Sequence, residues 1–376
     1  MKKRILTLSL LFLLVFPAIS LAQSKIDITN ACKNYSIESA VRFIDMAKTA
    51  EKGILPGDKE WRELFATDGY HHFFAVCGDS LRWQRNIRTA FHTVFDKSQQ
   101  VKLDSILSRP VNMYMSQEGF MVINFQQLKS QTDSLYNFLH HTNFSEMMQK
   151  AHLKAQLFLP SRINELKPAF KEFYFLAWDL ESRAWDDNTY FDINSFHSEG
   201  PEGMINLMAH ELHHLYMSAL IADRYKCGTN DDAFYAISVM QQEGTADLIN
   251  KQKMPVDKLG AYGADLVKMY NDDYFSSPEV LKQLDNLTTD YLAGKITKEQ
   301  YRATRQCAHF GGHTTGDYMV FLIRDQLGLQ AVIDCFPNFS AFVHRYNEAA
   351  TKAGTYVFSD TFVQHIDKIC SEMERN

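Results

Sequence analysis

His210-Glu211-Leu212-His213-His214 lies inside a run of residues whose pattern predicts one long helix. Gly200-Pro201-Glu202 is typical of a helix start, with a proline in the first turn and an acid near the positive end of the helix dipole. Apolar residues then recur at helical spacing, at Ile205, Met208, Leu212, Leu215, Ala219 and Leu220. The five quoted residues are therefore predicted to lie in the middle of a helix, on a buried stripe.

The spacing of the two outer histidines suits a shared metal ion. Four residues of an α-helix turn through about 400°, so His210 and His214 lie about 40° apart on one face. Glu211 is turned about 100° from His210, toward the place of a metal-bound water, which makes it a base and not a ligand. His213 points elsewhere and is predicted to flank the helix or to support a ligand. The alternative is a chance H-E-x-x-H on an amphipathic helix.

A second predicted helix, from about Asp232 to Asn250, carries two acids that share one face, Glu243 and Asp247. A catalytic zinc site has three protein ligands and leaves the fourth position to water, and two histidines with one glutamate are a known set. Glu243 is therefore predicted as the third ligand. Asp247 would accept the ring N–H of a ligand histidine and fix its orientation. The alternative for such a pair is a solvated acidic face.

H-E-x-x-H followed by a helix with E-x-x-x-D resembles the gluzincin metallopeptidases, the thermolysin-like clan, and within it the secreted bacterial groups of zinc-dependent proteases. The resemblance covers about residues 170 to 330. It implies a zincin-like catalytic domain and a peptide or protein substrate. It also implies one zinc ion held by His210, His214 and Glu243, with Glu211 as general base and Asp247 supporting a ligand histidine. The segment between the two motifs is longer than in thermolysin.

A third segment, His309-Phe310-Gly311-Gly312-His313-Thr314-Thr315-Gly316-Asp317-Tyr318, opens a later predicted helix. The resembled peptidases often carry a tyrosine or histidine before such a glycine step, and its side chain stabilises the oxyanion. The resemblance gives this catalytic role to His313, with Tyr318 as the reserve candidate. The alternative is that His313 is a capping or surface histidine.

Aromatic and β-branched runs before the long helix predict two strands, at residues 172–178 and 189–193, around the turn Asp186-Asp187-Asn188. In the resembled clan an edge strand just upstream of the active helix binds the substrate backbone, and residues 188–194 are the candidate for it. Most of the remaining sequence is helical in pattern. The predicted fold class is α+β, mostly helical, with a small sheet beside the H-E-x-x-H helix.

Four regions are predicted: a signal peptide (1–22), a mainly helical N-terminal region (23–168), the metallopeptidase core (169–330) and a C-terminal helical region packed on the core (331–376). The N-terminal region contains a predicted hairpin at Val111–Met115 and Phe120–Phe125, around Gln117-Glu118-Gly119. Later helices are predicted at residues 256–274, 278–294, 298–307 and 358–374.

The first residues predict export. Met1-Lys2-Lys3-Arg4, the apolar run from Ile5 to Phe16, and Ser20-Leu21-Ala22 before Gln23 are typical of a cleavable signal peptide. We expect a periplasmic or extracellular protein without a membrane span after cleavage. Loss of the three basic residues takes the formal net charge from -6 to -9, which argues against a nucleic-acid partner. The six cysteines lack metal-ligand spacing, and their disulfide pairing stays open.

These features together predict a secreted zinc metallopeptidase. The alternative of a different class is a non-catalytic protein that carries zinc on the peptidase scaffold and binds a peptide or another partner. Glu211 argues against this alternative, because a binding protein needs no base beside an open zinc position. A metal-free helical interaction protein would require both motifs to be accidental. Endopeptidase and exopeptidase action both stay open.

Overall fold

The computed structural model describes residues 34–111, 115–166, 172–185, 187–259 and 263–374, so the predicted signal peptide lies outside the described residues. These residues form a mostly helical fold with one small sheet, which confirms the predicted α+β class. The strands are β1 (Tyr35–Ser36), β2 (Phe173–Leu176), β3 (Ser182–Trp185) and β4 (Asn188–Asp192). The first ten helices are α1 (Glu38–Glu51), α2 (Asp58–Phe65), α3 (Asp68–Val76), α4 (Ser80–Phe95), α5 (Gln100–Leu107), α6 (Gln117–Lys129), α7 (Thr132–His141), α8 (Phe144–Gln156), α9 (Ile163–Leu166) and α10 (Ile193–Ser198).

The later helices are α11 (Gly200–Arg224), α12 (Asp232–Asn250), α13 (Ala264–Leu292), α14 (Lys298–Tyr301), α15 (His313–Leu327), α16 (Leu329–Asp334), α17 (Phe339–Ala353) and α18 (Asp360–Glu374). The predicted start of α11 at Gly200 and the predicted bounds of α12 are confirmed. The two helices predicted at 256–274 and 278–294 are instead one 29-residue helix, α13, which contains Pro278. No helix among the described residues has the length and apolar character that a membrane crossing requires.

The sheet has the strand order β1-β2-β4-β3. β2 is parallel to both of its neighbours, and its register with β4 pairs Tyr174 with Tyr190 and Phe175 with Phe191. β3 runs antiparallel to β4, and the chain turns between them through Asp187, whose φ is 66°. Two strands were expected here and are present as β2 and β4. The sequence prediction missed β3, because Ser182-Arg183-Ala184-Trp185 lacks an apolar run and its residues are only half-buried.

The prediction that residues 188–194 form an edge strand is wrong. β4 pairs with β2 on one side and with β3 on the other, so its backbone N–H and C=O groups already have partners within the sheet. Residues 193 and 194 belong to α10. On this side of the described sheet, the edge strand is β3.

The hairpin predicted around Gln117-Glu118-Gly119 is also wrong, because this segment is the start of α6. The Ser116 side chain caps the helix by accepting a hydrogen bond from the Gly119 N–H at 3.2 Å. Met121, Val122 and Phe125 are fully buried in the core. A run with high β propensity is therefore helical, because burial of one helix face outweighs local preference. Residues 112–114 of the predicted first strand lie outside the described residues.

Buried apolar side chains form two clusters that divide near the end of α11. The first contains residues from Ala40 to Leu220, together with Ile249 and Phe336. The second contains residues from Tyr225 to Met373. The predicted region boundaries after residues 168 and 330 do not coincide with this division, and they stay predictions about the sequence. The H-E-x-x-H helix belongs to the first cluster, whereas α12 and α15 contribute to the second.

Candidate metal centre

Three helices bring the predicted site residues together. These residues are His210, Glu211 and His214 on α11, Glu243 and Asp247 on α12, and His313 at the first position of α15. Because α11 packs in the first apolar cluster and the other two helices in the second, the centre lies where the two clusters meet.

The backbones of α12 and α15 touch at two glycines. A Cβ atom on Gly244 would lie 2.4 Å from the Gly316 carbonyl oxygen, and one on Gly316 would lie 2.2 Å from the Met240 carbonyl oxygen. Only glycine permits this approach, which places the start of α15 beside the acidic face of α12. In the sequence, the only sign of this contact is one isolated glycine within each helical pattern.

A left-handed turn precedes α15 and places His313 at its start. Phe310, Gly311 and Gly312 have φ values of 47°, 70° and 102°. A Cβ atom on Gly312 would lie 2.6 Å from Cγ1 of Val239, so this glycine is needed for its conformation and for space. The predicted glycine step at the helix start is thus present, and its turn packs directly against α12.

His210, His214 and Glu243 form a tight cluster of metal-binding groups, whose donor atoms lie within 4.8 Å of one another. The Nε2 atoms of the two histidines are 3.1 Å apart. Oε2 of Glu243 lies 3.2 Å from Nε2 of His214 and 3.8 Å from Nε2 of His210. Tetrahedral zinc with ligands at about 2.0–2.2 Å separates its donor atoms by about 3.3–3.6 Å. Both the donor types and their separations therefore fit zinc.

Asp247 lies behind this cluster and contacts two histidines. Its Oδ1 lies 3.4 Å from Nδ1 of His210, and neither atom has a hydrogen-bond partner among the described residues. A carboxylate in this position can orient a ligand histidine. Its Oδ2 accepts a hydrogen bond from Nδ1 of His313 at 2.7 Å. Nε2 of His313 faces the cluster, 3.5 Å from Oε2 of Glu243. The alternative, a capping or surface histidine, does not account for these contacts of His313.

The ionisable side chains of the cluster shift one another's pKa values. Burial raises the pKa of Glu211 to about 7, against the opposing effect of His214. Burial would lower the pKa of His214, but the Glu243 carboxylate raises it to about 9. Burial would raise the pKa of Glu243, but His214 and His313 lower it to about 2. Zinc bound by these groups would compete with protons for the same lone pairs.

Two predicted residues lie apart from the cluster. The Tyr318 hydroxyl forms a hydrogen bond with the Thr355 hydroxyl at 2.8 Å, and its ring packs against Tyr274. The structure therefore brings His313, and not Tyr318, to the metal-binding residues. His213 is fully buried, with Nε2 3.3 Å from the Phe158 carbonyl oxygen, and lies on the flank of the helix as predicted.

Three polar residues behind Asp247 were not among the predicted site residues: Lys251, Tyr270 and Asp317. Lys251 lies one helical turn after Asp247, and Asp317 lies one turn after His313. This i, i+4 spacing was visible in the sequence. The contact between the two pairs depends on the packing of α12 against α15, which the sequence does not display.

Two histidines on an H-E-x-x-H helix and a glutamate on the neighbouring helix form the kind of metal centre that defines a class of zinc peptidases. Here this centre lies in a mostly helical α+β fold. The chain belongs to the family described as "Putative zinc dependent peptidase (DUF5700)", whose model matches residues 61–355. This match includes each residue of the centre described above. The chain matches no curated protein and no solved structure.

Proposed function

We propose that this protein is an exported, zinc-dependent metallopeptidase of the gluzincin type with a zincin-like catalytic domain. The observation that carries the proposal is the triangle of donor atoms from His210, His214 and Glu243, with Glu211 buried beside it. The family description supports zinc dependence and peptidase activity in general terms. The assignment of roles to individual residues is our inference from the geometry.

Zinc bound to the three ligands would polarise the scissile carbonyl and lower the pKa of a bound water. Glu211 takes a proton from the attacking water and passes it to the leaving amine. Burial raises the pKa of Glu211 above its ordinary value, and a general base and acid works best when its pKa is close to the ambient pH. His313, held at Nδ1 by Asp247, presents Nε2 to the developing oxyanion.

The substrate would bind along β3 and not along β4. β3 is the edge strand on this side of the described sheet and contacts α11. Arg183 on β3 is close enough to Glu211 to oppose the rise of its pKa. An extended peptide added to β3 would pair its backbone with the strand and pass beside the catalytic glutamate.

The decisive experiment measures zinc by elemental mass spectrometry in the purified wild type and in His214→Gln. We expect about one zinc ion per chain in the wild type and its loss in the variant, because a catalytic zinc site requires all three of its protein ligands. His213→Gln is the matched control, since His213 is the adjacent buried histidine on the same helix and has no predicted ligand role. Equal zinc loss in both variants would contradict the assignment.

A second measurement separates catalysis from binding. Glu211→Gln should retain zinc and lower peptide hydrolysis by roughly a hundredfold or more, because it keeps the side-chain shape but removes the base. Hydrolysis at the wild-type rate would refute the role of Glu211. A wild type that binds zinc but hydrolyses none of a broad peptide library would instead favour the non-catalytic zinc-bearing protein.

Export is a separate part of the proposal and rests on the sequence of residues 1–22. Amino-terminal sequencing of protein recovered after expression with its own leader should give Gln23 as the first residue. Recovery of the chain with Met1 intact would argue against cleavage at this site.

A further inference from the structure

We propose that Lys251 is a positioning residue of the metal centre. Together with Tyr270 and Asp317, it fixes Asp247, the carboxylate that faces the Nδ1 atoms of His210 and His313. This inference rests on the proposed function, because its consequence is the orientation of a zinc ligand and of the oxyanion-binding histidine.

The two oxygens of the Asp247 carboxylate face two different histidines. Its Oδ1 lies 3.4 Å from Nδ1 of His210, and its Oδ2 lies 2.7 Å from Nδ1 of His313. The side chain is 1% exposed, so water cannot replace either contact readily. A rotation of this carboxylate would therefore disturb a ligand on α11 and the catalytic histidine on α15 together.

Lys251 anchors this carboxylate from the end of α12. Its ammonium group donates a hydrogen bond to Oδ2 of Asp247 and another, at 2.6 Å, to the Tyr270 hydroxyl. It also lies 3.4 Å from Oδ2 of Asp317, and its side chain is only 11% exposed. The ammonium group is thus held by oxygens from three helices, α12, α13 and α15.

Tyr270 and Asp317 complete the anchor. The Tyr270 hydroxyl donates to Oδ2 of Asp317 at 2.7 Å while it accepts from Lys251. Asp317 is fully buried, and Tyr270 is 3% exposed. A buried lysine with three fixed oxygen partners has little rotational freedom. Because the same ammonium group binds Asp247, this restriction extends to the carboxylate and to the two histidines.

If Lys251 only formed an ordinary ion pair at the end of a helix, a different result would be expected. Loss of such a pair would lower stability and leave the metal centre unchanged. Loss of a positioning residue would weaken metal binding and alter the coordination geometry, as does the removal of groups that orient metal ligands. The two readings are therefore separated by properties of the metal site and not by stability alone.

The test uses the full mature chain and the variants Lys251→Met and Tyr270→Phe. The first removes the charge with little change of volume, and the second removes one hydroxyl and keeps the ring. Lys253→Met is the matched control, because Lys253 lies two residues further along and its side chain is 73% exposed. Zinc affinity is measured by competition with a chromophoric chelator, and coordination geometry by the visible spectrum of the cobalt(II)-substituted protein.

We expect Lys251→Met to weaken zinc binding by roughly tenfold and to shift the cobalt absorption bands, with a smaller change in the same direction for Tyr270→Phe. Lys253→Met should match the wild type in both measurements. If Lys251→Met fails to fold, Tyr270→Phe decides the outcome. Wild-type zinc affinity and an unchanged cobalt spectrum in the folded variants, with only a lower melting temperature, would overturn the proposal.

These outcomes stay separate from a failure of the proposed function. If the wild type lacks peptidase activity but binds zinc, the affinities and spectra still test the role of Lys251. If His214→Gln keeps its zinc, the ligand assignment is wrong. That result would refute both proposals, whatever the Lys251 variants show.

Discussion

Gly316→Ala should push apart α12 and α15, the two helices whose contact holds His313 beside Asp247. In the structure, a Cβ atom at Gly316 would lie 2.2 Å from the Met240 carbonyl oxygen on α12 and 3.1 Å from the Gly244 N–H nitrogen. Ordinary van der Waals contact begins at 3.4 Å, so α12 and α15 would have to part by about 1 Å. The obstructing atoms belong to the backbone, and no side-chain rotation can relieve the clash.

Two opposing effects determine how much Gly316→Ala changes the free energy of unfolding. Alanine favours a helix over glycine by about 1 kcal/mol. Overpacking of a tight core contact costs about 1–3 kcal/mol, and contact with rigid backbone on the other side puts this position at the upper end of the range. We expect a net loss of about 1–2 kcal/mol, which lowers the melting temperature of a chain this long by roughly 1–3 °C.

The effect on the site is larger than the effect on stability. A separation of about 1 Å would stretch the 2.7 Å hydrogen bond between His313 and Asp247 beyond the range of a hydrogen bond. Peptide hydrolysis should therefore fall by roughly tenfold or more, because misplacement of a catalytic group by about 1 Å is costly. Zinc content should stay near that of the wild type, since the three ligands lie on α11 and α12.

Calorimetry, zinc analysis and peptide hydrolysis are measured for Gly316→Ala beside Gly228→Ala. Gly228 is the matched control, because a Cβ atom there would meet nothing within 4 Å. The control should behave as the wild type in all three assays. A Gly316→Ala protein with a melting temperature above that of the wild type and undiminished hydrolysis would refute the backbone contact between α12 and α15.

Three further predictions concern stability. Zinc at 100 times its dissociation constant should stabilise the metal-free protein by about 2.7 kcal/mol, and chelation should reverse the gain in a calorimetric scan; an equal melting temperature with and without chelator would exclude a bound ion. Burial lowers the pKa of His152 to about 4, whereas an unfolded histidine has a pKa near 6.5. The unfolded state therefore binds more protons between these values, and stability should fall by about 2 kcal/mol from pH 7 to pH 5 through this residue. Urea titrations at the two pH values should show a smaller pH dependence for His152→Gln, and an unchanged dependence would contradict the assignment. The Asp192 carboxylate accepts hydrogen bonds from the backbone N–H groups of Trp178 and Ser195, and from the side-chain amide of Asn124. Asp192→Ala should cost at least about 3 kcal/mol in urea unfolding, because three buried donors lose their acceptor, and Asp192→Asn should cost less.

The parts of the centre that could be predicted from sequence are those whose geometry is local. His210, Glu211 and His214 lie on one helix, so the helical repeat alone determines their relative directions. Glu243 is on another helix, and its prediction required the chemical argument that two histidines of a catalytic zinc site need a third ligand. The helical bounds of α12 followed from its pattern, which is why the face shared by Glu243 and Asp247 could be stated in advance.

The errors have a common physical cause, which is that the decisive contacts are distant in sequence. The aromatic run in Phe120–Phe125 has strand propensity, but its burial in the core favours a helix. β4 is predicted as an edge strand because β3 was not recognised in the sequence. β3 has no apolar pattern because its residues are half-buried. The Gly244 and Gly316 contact joins residues that are 72 positions apart, and each glycine alone resembles a minor defect in a helix.

Because the centre lies between two apolar clusters, zinc binding and the packing of these clusters against each other should depend on one another. His210 and His214 are fixed by α11 in the first cluster, whereas Glu243 is fixed by α12 in the second. A zinc ion bound to all three would link the clusters, and Asp247 adds a second link through His210. Since a ligand stabilises only the state that binds it, zinc should strengthen the packing of the two clusters against each other more than the packing inside either. Hydrogen exchange with and without zinc should therefore show its largest added protection where α11 meets α12, and uniform protection over the whole chain would contradict this argument.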